Sequence, residues 1–340
     1  MRSKHFNHLH RLQINSKKIN HISKLGKSGF LNNTLLKEEK TMNDKEHFFK
    51  DEYEKLIQSL LFSEPPLEYF DIPEMWQAVL DINKEKRAFG DENTEISMLS
   101  KMYIIEYFYF SAAIGHSEEY LKIQMIFQGL LTNIANTAFS VYKLAFDGLS
   151  YQAKVLNRSL YELCMTLLNV MIDKEKRKAL FESASKENEY EVWKRHFSAR
   201  KLKSTMLAYE KKLGGDFSKD WHERTYKHLS AYVHNDFVNF YFGSMSNPTS
   251  DNEELKINYA GNFADRVDNL LEEMNAVLFY TGMNFLKMLV DDDLDIKKEH
   301  LCTNDSSDSN NKDFWNQASF LELWNRECYI KILNKQGVSI

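Results

Sequence analysis

Apolar side chains recur three and four residues apart along most of the chain, the spacing of one helix face. Phe49, Tyr53, Leu56, Ile57 and Leu60 form the first such stripe. Pro65-Pro66 ends that helix, and Pro73 suits the first turn of the next. After a polar break at 91–94, helical patterns follow at 96–114, 117–147, 150–173, 174–212, 218–242 and 262–290. The last is the clearest: Phe263, Val267, Leu270, Met274, Val277, Thr281, Phe285 and Leu289 make one long apolar stripe. Gly214-Gly215 and the run 244–254, with Asn247-Pro248, read as loops. Residues 291–313 open on three Asp and continue through an Asn/Ser/Asp run, the composition of a solvated linker. A final amphipathic segment, 314–340, sets Phe314, Leu321, Trp324 and Cys328 on one face, for docking on the bundle or on a second subunit. The expected fold is an all-α multi-helix bundle over 96–290 with an N-terminal helical extension, 42–95.

Composition supports this. Glycine and proline together supply 16 of 340 residues, far below the roughly 12% of average usage and too few for the turns of an all-β fold. Aromatic residues make up 13% of the chain, ample for a packed core. Three cysteines, Cys164, Cys302 and Cys328, are too few and too scattered for a disulfide framework or a four-ligand zinc site. No stretch reaches the about 18 uninterrupted apolar residues of a membrane span, so a cytoplasmic chain is expected.

Charge divides the chain. Residues 1–41 hold nine Lys/Arg against two acids, and the rest holds 35 against 47. An acidic body is a poor general partner for nucleic acid, which would have to be met at a local cleft. The basic segment 1–41 reads as a disordered tail or a mis-called start, with Met42 opening a more protein-like stretch; a targeting or nucleic-acid-touching arm is the alternative. Gly26-Lys27-Ser28 is not a P-loop, because His21 stands where the motif needs glycine.

The helix at 150–173 carries the first candidate chemistry. Leu156, Leu160, Leu163 and Leu167 share one side, and Val155, Tyr161, Met165 and Val170 make most of the remainder apolar, as in an interior helix. Yet Arg158, Glu162 and Asn169 fall on one narrow line, with Asp173 close to it. Three readings stand: a solvent-edge i,i+4 ion pair, a buried pair that fixes helix register, or an arginine held by Glu162 at the floor of a cleft.

The second place is the helix from Ser218. Ser218 suits an N-cap and Asp220 the first turn. Tyr226, Ser230 and His234 lie four apart on one face, with Leu229, Val233 and Phe237 as flanking core. His234 is either a satisfied core or edge residue or a proton-transfer group. His222-Glu223 begins like a zinc-protease motif, but His228 follows six residues later and faces elsewhere, so neither a metal nor a cofactor is expected.

Taken together, Arg158-Ser159-Leu160-Tyr161-Glu162, Trp221 and Leu229-Ser230-x-x-Val233-His234 resemble the hallmarks of an uncharacterised bacterial helical family similar to the HEPN superfamily. The resemblance covers about 120–245. It implies a HEPN-like core, a homodimer, and a metal-independent RNA endonuclease of a toxin–antitoxin or anti-phage system, with RNA as substrate and an antitoxin or defence-system partner. Other members are non-catalytic interaction modules, the alternative here. Active members carry Arg, four to six residues, then His on one helix. This chain departs from that: Arg224 precedes His228 by three intervening residues and His234 by nine. The catalytic set is therefore expected to be His234, Arg158 and Glu162, with Ser230 and Tyr226 positioning the phosphate.

Overall fold

The computed structural model describes residues 77, 80, 81, 84, 94–183, 189–215, 218–233, 267–302 and 309–337. The chain divides into two units, Met1–Ala78 and Val79–Ile340, and the described residues belong almost wholly to the second. The expected helix at 46–61, the segment 1–41 and His234 lie outside the described residues.

Among the described residues the second unit is all helical, without strands. Its elements are α1 (Glu95–Ala112), α2 (Leu121–Phe146), α3 (Ser150–Ile172), α4 (Lys174–Ser183), α5 (Glu189–His196), α6 (Ala199–Lys212), α7 (Lys219–Val233), α8 (Val267–Leu289), the single turn α9 (Lys298–Leu301) and α10 (Ser309–Lys335). None is long and apolar enough to cross a membrane. The expected helix at 174–212 is three, α4 to α6.

Helix α3 is the hub, packed against α2, α6, α7 and α8. Its Leu160, Cys164, Met165, Leu167, Leu168, Val170 and Met171 are fully buried, as a helix apolar on most sides requires. Aromatic rings join the other helices to one another. Phe110 of α1 meets Phe285 of α8 edge-on at 5.5 Å and Trp315 of α10 at 5.4 Å. Thr94 caps α1 by accepting from the Ser97 amide at 3.1 Å. Helix α6 ends in a left-handed Gly214 (φ 84°), whose amide reaches the Lys211 carbonyl while that of Gly215 reaches the Glu210 carbonyl. This tight reversal brings Ser218 back beside Glu210.

Two polar-looking segments pack differently from expectation. Residues 291–302 do not float as a solvated linker: Ile296 and Leu301 are buried, the Gly115 amide bonds the Leu301 carbonyl at 2.8 Å, and Asp295 pairs with buried Arg177. The docked face of α10 is also rotated. It presents Trp315, Ala318, Glu322, Asn325 and Tyr329 to the bundle and leaves Trp324 exposed, stacked on Phe320.

The rotation has a polar cause. Asn325 Nδ2 donates to Glu106 Oε2 of α1 at 2.7 Å, inside the α1–α8–α10 junction. Gly282 of α8 makes room there, since a Cβ would stand 2.9 Å from Glu106 Oε1 and 3.3 Å from Glu322 Cγ. Burial pushes the Glu106 carboxyl well above its ordinary range; the Asn325 bond pulls it down and the nearby Glu322 charge pushes it up again. The protonated form therefore belongs to the folded state. Its stabilisation is complete below the ordinary 4.5 and is lost as pH rises. Glu106→Gln, which stays neutral at every pH, is expected to remove that loss. Urea unfolding followed upward from pH 4.5 would show the decline of the parent flattened in the variant, and parallel curves would count against a protonated Glu106.

Candidate functional site

The Arg158 cluster is built on two helical turns that face each other. On α3, Arg158 and Glu162 are one turn apart, so their side chains meet along the helix. On α7, Tyr226 and Ser230 are likewise one turn apart, and the Ser230 hydroxyl donates back to the Tyr226 carbonyl at 2.5 Å. Packing α7 on α3 brings the two pairs together. Arg158 Nε and Nη2 both donate to Glu162 Oε1, at 3.1 and 2.7 Å. Its Nη1 donates to Ser230 Oγ. The guanidinium carbon lies 3.8 Å from the Tyr226 ring centroid, a close cation–π stack.

Four of the five residues expected at the site are therefore brought together, with Glu162, Tyr226 and Ser230 each in contact with Arg158. Arg158 is only 8% exposed, while Glu162, Tyr226 and Ser230 are half-buried. A guanidinium carries five N–H donors. Three are used here, and among the described residues one on each terminal nitrogen is unspent.

The polar line of α3 divides beyond this point. Asn169 is fully buried and donates to the Met165 and Leu202 carbonyls at 2.8 and 3.0 Å, while its carbonyl receives Lys176. Asp173 accepts from the Glu175 and Lys176 amides and starts α4. Both hold helices together and lie outside the Arg158 cluster.

A second polar chain adjoins the cluster, and sequence reasoning passed over it. Tyr161, one turn along α3 from Arg158, has its hydroxyl 2.9 Å from His222 Nδ1; His222 Nε2 is 3.1 Å from the Tyr280 hydroxyl. Tyr280 donates its proton to Glu210 Oε1 at 2.9 Å. Tyr280 oxygen must then accept from His222 Nε2–H, and Nδ1 must accept from Tyr161. The tautomer of His222 follows from its neighbours. Burial, helped by the Lys203 charge, pushes His222 down to about 4, so the ring is neutral near pH 7. Glu210 also accepts from the Ser218 hydroxyl at 2.5 Å and from its amide at 3.4 Å.

The sequence signal for this chain was the His222-Glu223 pair, weighed above as a metal motif. The rings of His222 and His228 do diverge: His222 is fully buried, and His228 is an exposed partner of Glu273 at 2.8 Å. Among the described residues no cluster of three His, Cys, Asp or Glu could hold a metal ion.

Beyond Glu210 lies a cleft of about 440 Å³ between α6, α7, α8 and α10. Trp221 stacks on Tyr280 along it at 4.6 Å, and Phe279 meets Tyr329 at 5.0 Å. Comparison with family models, curated proteins and solved structures finds no match for this chain.

Proposed function

We propose that the chain is a HEPN-like, metal-independent RNA endonuclease whose phosphate is held at Arg158. The observation that carries this reading is the state of the guanidinium. Glu162, Ser230 and the Tyr226 ring fix its plane, and among the described residues one N–H on each terminal nitrogen is left to donate. Such a fork matches two oxygens of a phosphodiester, and its orientation is set before substrate arrives.

In this reading the RNA 2′-oxygen attacks the adjacent phosphorus. The O2′–P bond forms as the P–O5′ bond breaks, leaving a 2′,3′-cyclic phosphate and a 5′-hydroxyl. Arg158 stabilises charge on the non-bridging oxygens. His234, four residues beyond Ser230 in the sequence, takes the 2′-hydroxyl proton or supplies one to the leaving oxygen. The family resemblance adds the setting: a cytoplasmic homodimer in a toxin–antitoxin or anti-phage system.

The test is cleavage of an end-labelled single-stranded RNA by the full chain in EDTA. His234→Ala is expected to slow cleavage about a hundredfold with little change in melting temperature. Equal rates for variant and parent would remove His234 from the mechanism.

One observation favours the alternative, a non-catalytic helical interaction module. Arg158 is almost wholly buried and already holds Glu162, Ser230 and the Tyr226 ring, as a structural lock between α3 and α7 would. That reading expects no RNA cleavage by the purified parent.

A further inference from the structure

The cleft beside Glu210 has the features of a ligand site that the RNA reading does not use. Its volume of about 440 Å³ falls in the range of small-molecule pockets. Four aromatic residues, Trp221, Phe279, Tyr280 and Tyr329, line it. Glu210 lies at its floor and is 7% exposed. Among the described residues three donors face that carboxylate, namely the Ser218 hydroxyl and amide and the Tyr280 hydroxyl. Among the described residues no cation pairs with it. A buried carboxylate without a counter-charge is costly. Among the described residues its Oε2 receives only the long 3.4 Å bond from Ser218 and has capacity to spare.

We infer that this cleft binds a small organic ammonium, with an aromatic or alkyl body between the rings and its N–H donors on Glu210. The pieces act together. The aromatic walls remove apolar surface from water and attract a cation through their faces, and the carboxylate supplies the charge-assisted hydrogen bond that fixes the ammonium end. A carboxylate-bearing molecule of the same shape would meet Glu210 as a like charge. Lys287, exposed at the rim, weakens the field for a cation without closing the entrance. The inference is independent of RNA cleavage, and neither stands or falls with the other.

The probe is 2-phenylethylamine, with 3-phenylpropionate as the anion of matching shape. Titration into the full chain is expected to change tryptophan emission saturably, through Trp221, and to raise the melting temperature. The propionate is expected to do neither. Glu210→Gln should weaken amine binding about tenfold or more, the scale of one charge-assisted hydrogen bond. Lys287→Ala should strengthen it. Met283→Trp, which puts a large ring into the cleft from a half-buried position on α8, should abolish binding in a folded chain and serves if the Glu210 variant does not fold. Equal binding of amine and propionate, amine binding that survives Met283→Trp, or no saturable amine signal would each overturn the assignment.

Discussion

Replacing His222 with alanine is expected to destabilise the fold by about 3–5 kcal/mol, from the cavity and the two hydroxyls left behind. The ring is fully buried between Tyr161, Trp221 and Tyr280, with centroids 6.0, 4.9 and 5.0 Å away. Its removal opens a void at the α3–α7–α8 junction. It also strands the Tyr161 proton without an acceptor and takes from the Tyr280 oxygen the donor it receives. His222→Phe separates the two costs. It refills the volume but restores neither hydrogen bond, so about 1–3 kcal/mol should remain. The pH dependence carries a sign of its own. A ring pushed down to about 4 in the fold and near 6.5 when unfolded contributes stability that is complete above 6.5. That contribution is lost as pH falls from 6.5 towards 4, the reverse of the Glu106 effect. Urea unfolding of parent and His222→Phe should therefore converge on acidification. A His222→Ala loss below about 1 kcal/mol would mean the ring is not the keystone its contacts suggest.

How far the sequence reaches can be judged from such residues. The pairs Arg158/Glu162 and Tyr226/Ser230 were legible because each lies within one helix, where a spacing of four fixes the geometry. Their meeting was not fixed by any spacing. It depends on how α7 lies across α3, a matter of packing between elements 72 residues apart at Arg158 and Ser230. The His222 chain was hidden for a different reason. Tyrosine has an apolar body and one polar tip, so Tyr161 and Tyr280 count as core in any periodicity argument while their hydroxyls do polar work. Glu210 stands beside Lys211 and Lys212, the sequence of a solvated helix end, yet it is buried and takes the Ser218 hydroxyl and amide from the chain that returns after Gly214. The α10 face erred in the same direction. Trp324 was expected on the docked face and is left outside, while Glu322 and Asn325 are buried and Asn325 donates to Glu106. Helical content followed from spacing and from the scarcity of glycine and proline. Buried polar contacts between helices did not, because polarity alone says nothing of where the partner is.

Arg158 separates the two readings of the molecule. If it binds phosphate, Arg158→Ala should lower RNA cleavage by about 10²–10³-fold, the scale for losing a preorganised donor to developing charge. Arg158→Lys should fall nearly as far. An ammonium keeps the charge but lacks the planar fork, and cannot serve Glu162, Ser230 and two phosphate oxygens in fixed directions. Glu162→Gln retains an acceptor for the guanidinium and should cost much less. Stability should move little by comparison. Glu162 keeps a third of its side chain in contact with solvent, so water can take over when its partner goes, and about 1–2 kcal/mol is expected for Arg158→Ala. The structural lock expects the opposite balance: no cleavage in the parent, and a loss of about 3–5 kcal/mol when a buried charge partner is removed. Cleavage and urea unfolding measured on the same three variants decide between them, because a phosphate-binding arginine moves the first quantity and a lock moves the second.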